Sequence, residues 1–211
     1  MIPEAMVRDV RALFLGDASG HDWYHTERVM RMAERLARAE GADEEICLLA
    51  ALLHDADDYK LTGGEPGSTA RAEALMAKYA VPARTRERVC AIIRAVSFKG
   101  KDSVRPETPE GMVVQDADRL DAIGAIGVAR TFAYGGSRGR PMHDPGEVPS
   151  TDMSAEEYAR HQGSSVNHFY EKLLLLRDMM NTKSAREIAA ARHRVMEAFL
   201  EEFFAEWDGL R

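Results

Sequence analysis

The chain has 211 residues, of which 45% are hydrophobic and 30% charged, and its formal net charge is −7. This composition is typical of one globular domain with a sizeable core, and the acidic balance argues against a protein that coats nucleic acid through clustered Lys and Arg. No apolar run approaches the roughly 20 residues that cross a bilayer, and the N-terminal MIPEAMVRDVRALFLG carries charges inside its apolar pattern, unlike a secretory signal. We therefore expect a cytoplasmic protein.

Apolar residues repeat with a helical period almost throughout the chain, and no segment alternates as a half-buried strand would. We predict an all-α fold with one domain over residues 1–211, built as a bundle of about eight helices. The predicted helices span residues 3–15, 23–40, 43–56, 68–80, 83–97, 112–134, 154–181 and 184–208.

Helix ends are marked by several residues. Ser154 with Glu157 and Ser184 with Glu187 both match the capping box, in which a hydroxyl and a carboxylate each accept from an otherwise unpaired backbone N–H. Gly41 is placed to end the second helix. These signals predict helix starts near residues 155 and 185.

Two long segments rich in Gly, Pro and charge separate the later helices, at residues 98–111 and 135–153. Loops of this length are usually functional or mobile. They could close over a ligand as lids, and the glycine-rich part at residues 135–140 could instead close over a partner subunit. Cys47 and Cys90 lie inside apolar helical patterns, which predicts two reduced thiols in the core.

Ionisable residues occur where the helical pattern predicts burial. His25 shares a helix face with apolar neighbours, and His54 and Asp55 end ICLLAALL, a helix that is apolar nearly all round. A single inward His is also common in protein cores, whereas a buried Asp is costly unless it is paired or bound to a cation.

The helix that begins MVVQDADRLDAIGAIGVA repeats the pattern, with Asp118 and Asp121 on a face of small and apolar residues. Three apolar helices thus each carry inward ionisable groups, and a shared ion is the simplest explanation. The dipeptide His-Asp occurs three times in the chain, but only His54-Asp55 ends a buried helix.

The ordered residues His25 in HDWYHTERV, His54-Asp55 in LLHDADD and Asp118 in DADRLDA resemble the signature of the HD-domain phosphohydrolase superfamily. Small stand-alone bacterial members of this superfamily are similar in three further places: Lys60 at the end of HDADDYK, the SFKGK segment and the segment NHFYEKLLLL. The resemblance implies an all-α fold, one divalent-metal site formed by these four residues, and hydrolysis of a phosphate ester or anhydride, commonly of a nucleotide.

One departure from the family limits the number of metal ions. Relatives with two metals carry additional histidines on the intervening helices, whereas AIIRAVSF offers Arg94, Ala95 and Val96. We therefore expect one metal.

Two imidazoles and two carboxylates leave open positions around an octahedral ion, so Mn²⁺ or Mg²⁺ is expected, although other transition metals also suit such ligands. A nearby carboxylate could take the proton from the attacking water. Asp58 is the first choice and Asp57 the second, because Asp58 lies about one helical turn beyond His54. The alternative is that both acids end the helix in solvent.

Phosphate charge requires donors, and three cations neighbour the expected ligands: Arg28, Lys60 and Arg119. Each could instead be part of an ordinary surface ion pair.

A second set of polar residues lies on the helix predicted from residue 154. Its side chains recur at helical spacing and form one stripe that is either solvated or directed at the substrate: His161, Ser165, His168 and Lys172. We expect His168 and Lys172 to reach the substrate.

The loops would then close over the bound molecule. Lys99 and Lys101 would belong to a mobile lid, and Phe98 and Tyr134, which border the loops, are candidates to stack on a base.

The sequence therefore predicts a metal-dependent hydrolase of nucleotide phosphates that cleaves (deoxy)nucleoside triphosphates to monophosphate and pyrophosphate. The alternatives are a phosphomonoesterase, a hydrolase of alarmones or cyclic nucleotides, and a non-catalytic ligand-binding domain with a structural metal. The expected partner is a small anionic phosphate, without nucleic acid or membrane, for a monomer or a homodimer.

Overall fold

A computed structural model describes residues 2–14, 22–57, 67–96, 100 and 102–211. Within these ranges the chain is helical and forms no β-strand, which confirms the predicted all-α fold. The α-helices are α1 (Glu4–Leu13), α2 (Trp23–Glu40), α3 (Glu44–Leu53), α4 (Ala70–Lys78), α5 (Ala83–Val96), α6 (Pro109–Asp121), α7 (Gly124–Ser137), α8 (Ala155–Arg160), α9 (Ser165–His168) and α10 (Lys183–Trp207).

Caps mark both ends of α2 and the start of α8. Asp22 precedes α2 and its side chain accepts from the backbone N–H of His25, while Gly41 ends the same helix in the left-handed conformation at φ 71°. The capping box of Ser154 with Glu157 opens α8 as predicted. These local signals therefore fix both ends of α2 and the start of α8.

The second predicted capping box is wrong. The helix α10 begins at Lys183, one residue before the predicted start at 184, and its N-cap is Thr182, whose side chain accepts from the backbone N–H of Ala185. Ser184 is therefore inside the first turn rather than at the cap.

The helix predicted over residues 112–134 is in fact two helices. The first begins earlier, at Pro109, and ends at Asp121, and the second starts at Gly124, whose φ is +76°. A side chain at that position would be strained, and its Cβ would lie 3.0 Å from Arg192. Asp121 and the small residues after it therefore do not continue one helical face.

The long helix predicted over residues 154–181 is also interrupted. α8 ends before His161, which has an extended backbone with ψ 134°. The chain turns helical again after Ser164 through the short α9, a π-helical turn (Phe169–Leu173) and a 3₁₀ segment (Leu175–Met179). The stripe that was expected on one helix is thus divided between separate elements.

The chain forms two compact units. Of the described residues, the first unit contains those of ranges 2–14, 22–57, 67–96 and 104–118, and the second contains residues 100, 102, 103 and 119–211. The single domain expected from the sequence stays a prediction.

In the first unit, α3 packs against α2 and α5 and has no exposed apolar side, as its composition predicted. The core side chains of this unit include Met6, Val29, Leu36, Leu52, Leu53 and Met76, all fully buried. Cys47 and Cys90 are free and buried, in agreement with the prediction.

In the second unit, α7 packs on α10. Its interior is aromatic, because the rings of Phe132, Phe169, Phe199 and Phe203 lie in successive contact.

Among the described residues, no helix combines the length and the hydrophobicity that crossing a lipid bilayer requires.

Candidate metal centre

The first predicted ligand, His25, lies in the first turn of α2 and its side chain is buried. Its backbone N–H donates to the Asp22 carboxylate over 3.0 Å, which fixes the start of the helix. The imidazole is therefore directed into the first unit from a rigid helix end.

His54 and Asp55 follow the last residue of α3, in a turn over residues 54–57. The Nδ1 atom of His54 lies 2.8 Å from the carbonyl oxygen of Ala51. A carbonyl can only accept, so this contact assigns the proton to Nδ1 and leaves a lone pair on Nε2. Such a contact is the usual way in which a metal-binding imidazole is oriented.

The four predicted ligands converge, and all belong to the first unit. The Nε2 atoms of His25 and His54 are 3.2 Å apart. Asp55 Oδ2 lies 3.5 Å from the first and 3.3 Å from the second of these atoms. Asp118 Oδ1, from α6, lies 3.4 Å from His25 Nε2 and 3.8 Å from His54 Nε2.

The donor set fits a cation. Two ligand atoms at about 2.1 Å from one ion are separated by about 3.0 Å at an angle of 90° and about 3.4 Å at the tetrahedral angle. The distances of 3.2, 3.3 and 3.4 Å lie in this range, and those of 3.5 and 3.8 Å exceed it slightly. Asp55 Oδ2 is buried and has no well-formed hydrogen bond. A buried carboxylate oxygen without such a bond is costly unless a positive charge lies beside it. His25, His54 and Asp55 therefore form a group that could hold a metal ion.

The electrostatics agree with this geometry. Burial would raise the pKa of the Asp55 carboxyl, but His54 and His25 hold that pKa well below its ordinary value. Burial would likewise lower the pKa of His54, but Asp55 and Asp118 raise it above the ordinary value. The carboxylates thus create a negative potential at the two Nε2 atoms.

The two candidate general bases fall in different situations. Asp57 lies at the end of the turn that carries the dyad, and its Oδ1 and Oδ2 accept from the backbone N–H groups of Arg71 and Ala72, each over 2.9 Å. Its oxygens are thus already engaged by the start of α4. Asp58 lies outside the described residues, as does Lys60.

The remaining basic candidates also differ. Arg28 lies on α2, one turn after His25, and is partly buried. Arg119 is buried in the second unit, where its guanidinium donates to the carbonyl of Met179. This contact is a packing role that the sequence did not predict.

His168 and Lys172 both lie beside the ring of Tyr158. The His168 ring is stacked on Tyr158 with centroids 6.5 Å apart, and Lys172 Nζ lies 5.8 Å from the centre of the same tyrosine ring. His161 instead pairs with the buried Glu171, at 2.8 Å. Because the predicted helix is interrupted, spacing could not reveal either arrangement.

The loop residues give a mixed result. Phe98, Lys99 and Lys101 lie outside the described residues. Tyr134 is in α7, and the guanidinium groups of Arg138 and Arg140 lie 5.4 and 5.6 Å from the centre of its ring. The proposed closure of residues 98–111 and 135–153 over a ligand stays a prediction.

Asp121 does not lie with the four predicted ligands, although it shares a helix with Asp118. It lies in the second unit, where its carboxylate accepts from Arg130 Nη1 over 3.0 Å. Arg130 lies on the next helix, which starts at Gly124 with a positive φ, so helical spacing could not predict this pair.

Comparison with known proteins agrees with the geometry. A family model described as HD domain matches residues 22–123, a range that contains all four proposed ligands. A curated relative, the uncharacterized protein YpgQ of Bacillus subtilis, is 36% identical over 203 residues, which cover 95% of this chain and 91% of the relative.

Solved structures extend the similarity over nearly the whole chain. A protein from Lactobacillus plantarum has a TM-score of 0.87 at 39% identity, with 99% of this chain and 100% of that chain covered. An HD-superfamily hydrolase from Bacillus thuringiensis has a TM-score of 0.74 at 43% identity, with coverages of 97% and 96%.

The structure of Bacillus subtilis YpgQ in complex with ADP has a TM-score of 0.74 at 33% identity and covers 97% of this chain and 100% of its own. HD domains bind a divalent metal, and the His25, His54 and Asp55 cluster supplies ligands for one. The chain therefore belongs to the HD-domain superfamily of phosphohydrolases.

Proposed function

We propose that the protein is a divalent-metal-dependent nucleoside triphosphate pyrophosphohydrolase, with His25, His54, Asp55 and Asp118 as the metal ligands. The observation that carries the proposal is the convergence of two imidazole nitrogens and two carboxylate oxygens. The nitrogens are 3.2 Å apart, and each carboxylate oxygen lies within 3.8 Å of both nitrogens. The buried Asp55 Oδ2 has no well-formed hydrogen bond, which supports the presence of a cation among these four side chains.

We propose one ion, Mn²⁺ or Mg²⁺. Mixed nitrogen and oxygen ligands suit Mn²⁺ in particular, and Mg²⁺ favours the carboxylates. In the described ranges, one group of His and acidic side chains has the spacing of a metal site. When bound, such an ion lowers the pKa of a coordinated water and offsets the charge of the phosphate.

The chain's own residues would supply the remaining parts of the reaction. His25 and the dyad orient the site through helix ends that are fixed by backbone hydrogen bonds. Asp58 is the proposed proton acceptor, on the basis of its distance along the chain from His54. Arg28 and Lys60 are proposed to bind phosphate oxygens, because each follows a ligand within a turn or two.

A nucleotide is proposed as the substrate because a relative 33% identical over nearly its full length has been solved with ADP. His168 and Lys172 are proposed as further substrate contacts, and their shared position around Tyr158 gives a cation beside an aromatic ring, a combination that suits a nucleotide. In the proposed reaction, water adds to the α-phosphorus, the bond from that phosphorus to the bridging oxygen breaks, and pyrophosphate leaves.

Product analysis tests this proposal. The protein is stripped of metal, supplied with Mn²⁺ and incubated with nucleoside mono-, di-, tri- and cyclic phosphates, and the products are separated and quantified. The proposal predicts monophosphate and pyrophosphate in equal amounts from triphosphates.

Two variants make the test specific. Asp118→Ala removes a proposed ligand and should abolish turnover, whereas Asp121→Asn changes the neighbouring acid on the same helix and should retain it. Inorganic phosphate released from monophosphates would instead identify a phosphomonoesterase, and products from cyclic or alarmone-like nucleotides would identify those hydrolases. Full metal binding without any product would contradict the enzyme proposal for these substrates.

A further inference from the structure

The carboxylate of Asp57 joins the turn that carries His54 and Asp55 to the start of α4. Both of its oxygens accept backbone N–H groups, from Arg71 and Ala72, each over 2.9 Å. The donors are 14 and 15 residues further along the chain. Asp57 therefore connects the two ends of the segment 58–70 through its side chain.

This contact fills a role that the helix's own N-cap leaves open. The first N–H groups of a helix have no partner within the helix, and a side chain at the N-cap normally accepts from the second or third of them. Here the N-cap is Thr69, with ψ 20° and no capping hydrogen bond from its side chain. Its Oγ1 instead accepts from Arg94 Nη2 over 3.1 Å.

The helix that receives Asp57 is itself well anchored. Ala72 and Met76 are fully buried, and Glu73 pairs with Arg86 of α5 at 2.7 Å. A fixed helix start can hold the end of the neighbouring turn in place. Within that turn, Ala56 is buried and donates its backbone N–H to the carbonyl oxygen of Leu53 over 3.1 Å.

We propose that Asp57 is a positioning residue of the metal centre: by capping α4 from the turn over residues 54–57, it holds the Asp55 carboxylate against the imidazoles of His25 and His54. The inference rests on the proposed function, because it assigns Asp57 to the same metal site. It assigns Asp57 a positioning role in place of the proton-acceptor role for which the sequence made it the second choice.

The test compares three variants with the parent chain. Asp57→Ala removes both acceptors, and Asp57→Asn retains one acceptor oxygen and serves as the milder variant if the first does not fold. The matched control is Asp43→Ala, because Asp43 caps α3 through the same kind of contact, to the N–H groups of Glu45 and Ile46, at the end of that helix away from the dyad. For each protein, Mn²⁺ affinity, the visible spectrum of the Co²⁺-loaded form and the metal-free melting temperature are measured.

The inference predicts that Asp57→Ala weakens Mn²⁺ binding by about 10- to 100-fold, as does loss of other groups that orient metal ligands, and alters the Co²⁺ spectrum. Asp57→Asn should fall between this variant and the parent in both. Asp43→Ala should lower the melting temperature while it retains the affinity and spectrum of the parent.

Each other outcome has a defined meaning. Asp57→Ala with the Mn²⁺ affinity and Co²⁺ spectrum of the parent would overturn the positioning role. Asp57→Asn with the parent's affinity and spectrum but without turnover would also overturn it, and would restore Asp57 as a proton acceptor. Equal loss of affinity in Asp43→Ala would also overturn it, since the effect would then be general. If the parent bound no Mn²⁺, the proposed function would fail and the inference with it.

Discussion

His54 Nδ1 lies 2.8 Å from the carbonyl oxygen of Ala51, so the last turn of α3 orients the imidazole that follows it. This contact leaves Nε2 as the lone-pair atom, 3.2 Å from Nε2 of His25. At this distance the His54 lone pair can accept a proton from His25 Nε2 or, where both nitrogens are unprotonated, share a metal ion with it. The relationship therefore connects the end of a buried helix directly to the capacity to hold a cation.

Replacement of His54 should remove most of the metal affinity. We expect His54→Ala to weaken Mn²⁺ binding by more than the roughly 10- to 100-fold that loss of an outer partner costs, because a direct ligand is lost. Isothermal titration with Mn²⁺ measures the change. The control is His193→Ala, since His193 lies on α10 in the second unit and pairs with Glu197 at 3.3 Å. Equal affinity in His54→Ala and the parent would contradict the ligand assignment.

Metal should stabilise the fold through the same residues. A ligand that binds the native state alone adds about 2.7 kcal/mol at a concentration 100 times its dissociation constant. We expect the melting temperature of the parent to rise with Mn²⁺ and to return to the metal-free value after chelation. Asp118→Ala should lose this dependence, as thermal unfolding at several Mn²⁺ concentrations will measure. An unchanged Mn²⁺ response in this variant would exclude Asp118 as a ligand.

Replacement of Asp121, the neighbouring acid, should lower the stability of the fold and leave the Mn²⁺ affinity unchanged. Asp121 pairs with the largely buried Arg130 at 3.0 Å, so its loss leaves a cation without that partner. Asp121→Ala is expected to lower the free energy of unfolding by about 3 kcal/mol. Chemical denaturation measures this loss. Mn²⁺ affinity should be unchanged, and a large fall in affinity at parental stability would show that Asp121 belongs to the metal site.

The two thiols should be unreactive in the native state. Burial, together with the nearby Glu110 carboxylate, raises the pKa of Cys47 to about 12, and burial also raises the pKa of Cys90. The native state then holds the Cys47 proton more tightly than the unfolded state, whose ordinary value is 9.0. The stability linked to Cys47 is therefore present below pH 9.0 and is lost as the pH rises towards about 12.

Thiol titration with a disulfide reagent at pH 8.5 to 9 measures this protection. Slow reaction of the native protein and fast reaction of two thiols in denaturant are expected, because the thiolate is the reactive form. The variant Cys90→Ala isolates Cys47. Fast, stoichiometric labelling of native Cys47 would contradict its burial.

The helical pattern together with the resemblance to the HD-domain family predicted that His25, His54, Asp55 and Asp118 converge. The resemblance selected Asp118, because the pattern alone also placed Asp121 on a buried face. Helical periodicity predicts which faces are buried, and a buried His or Asp in three different helices is costly unless the groups meet. For the same reason, the all-α class and the central position of α3 could be predicted. The chemistry of the site was thus encoded in residue type and spacing.

Contacts that depend on backbone atoms or on breaks in the helical pattern could not be predicted. The carbonyl of Ala51 and the N–H groups that bind Asp57 carry no signature in residue type. The apolar period also continues across residues 122–124. Glycine occurs inside helices and at positions of positive φ, so Gly124 did not reveal the break. Asp121 and the stripe around His168 were therefore assigned to faces that the interrupted helices do not form.

The central claim is that one divalent ion lies between His25, His54, Asp55 and Asp118. The most direct measurement is anomalous diffraction from crystals grown with Mn²⁺, at wavelengths on both sides of the manganese absorption edge. The account predicts a single strong anomalous peak about 2.1 to 2.3 Å from two Nε2 atoms and two carboxylate oxygens of these residues. A manganese peak bound by other residues, or none at these four in Mn²⁺-saturated crystals, would contradict it.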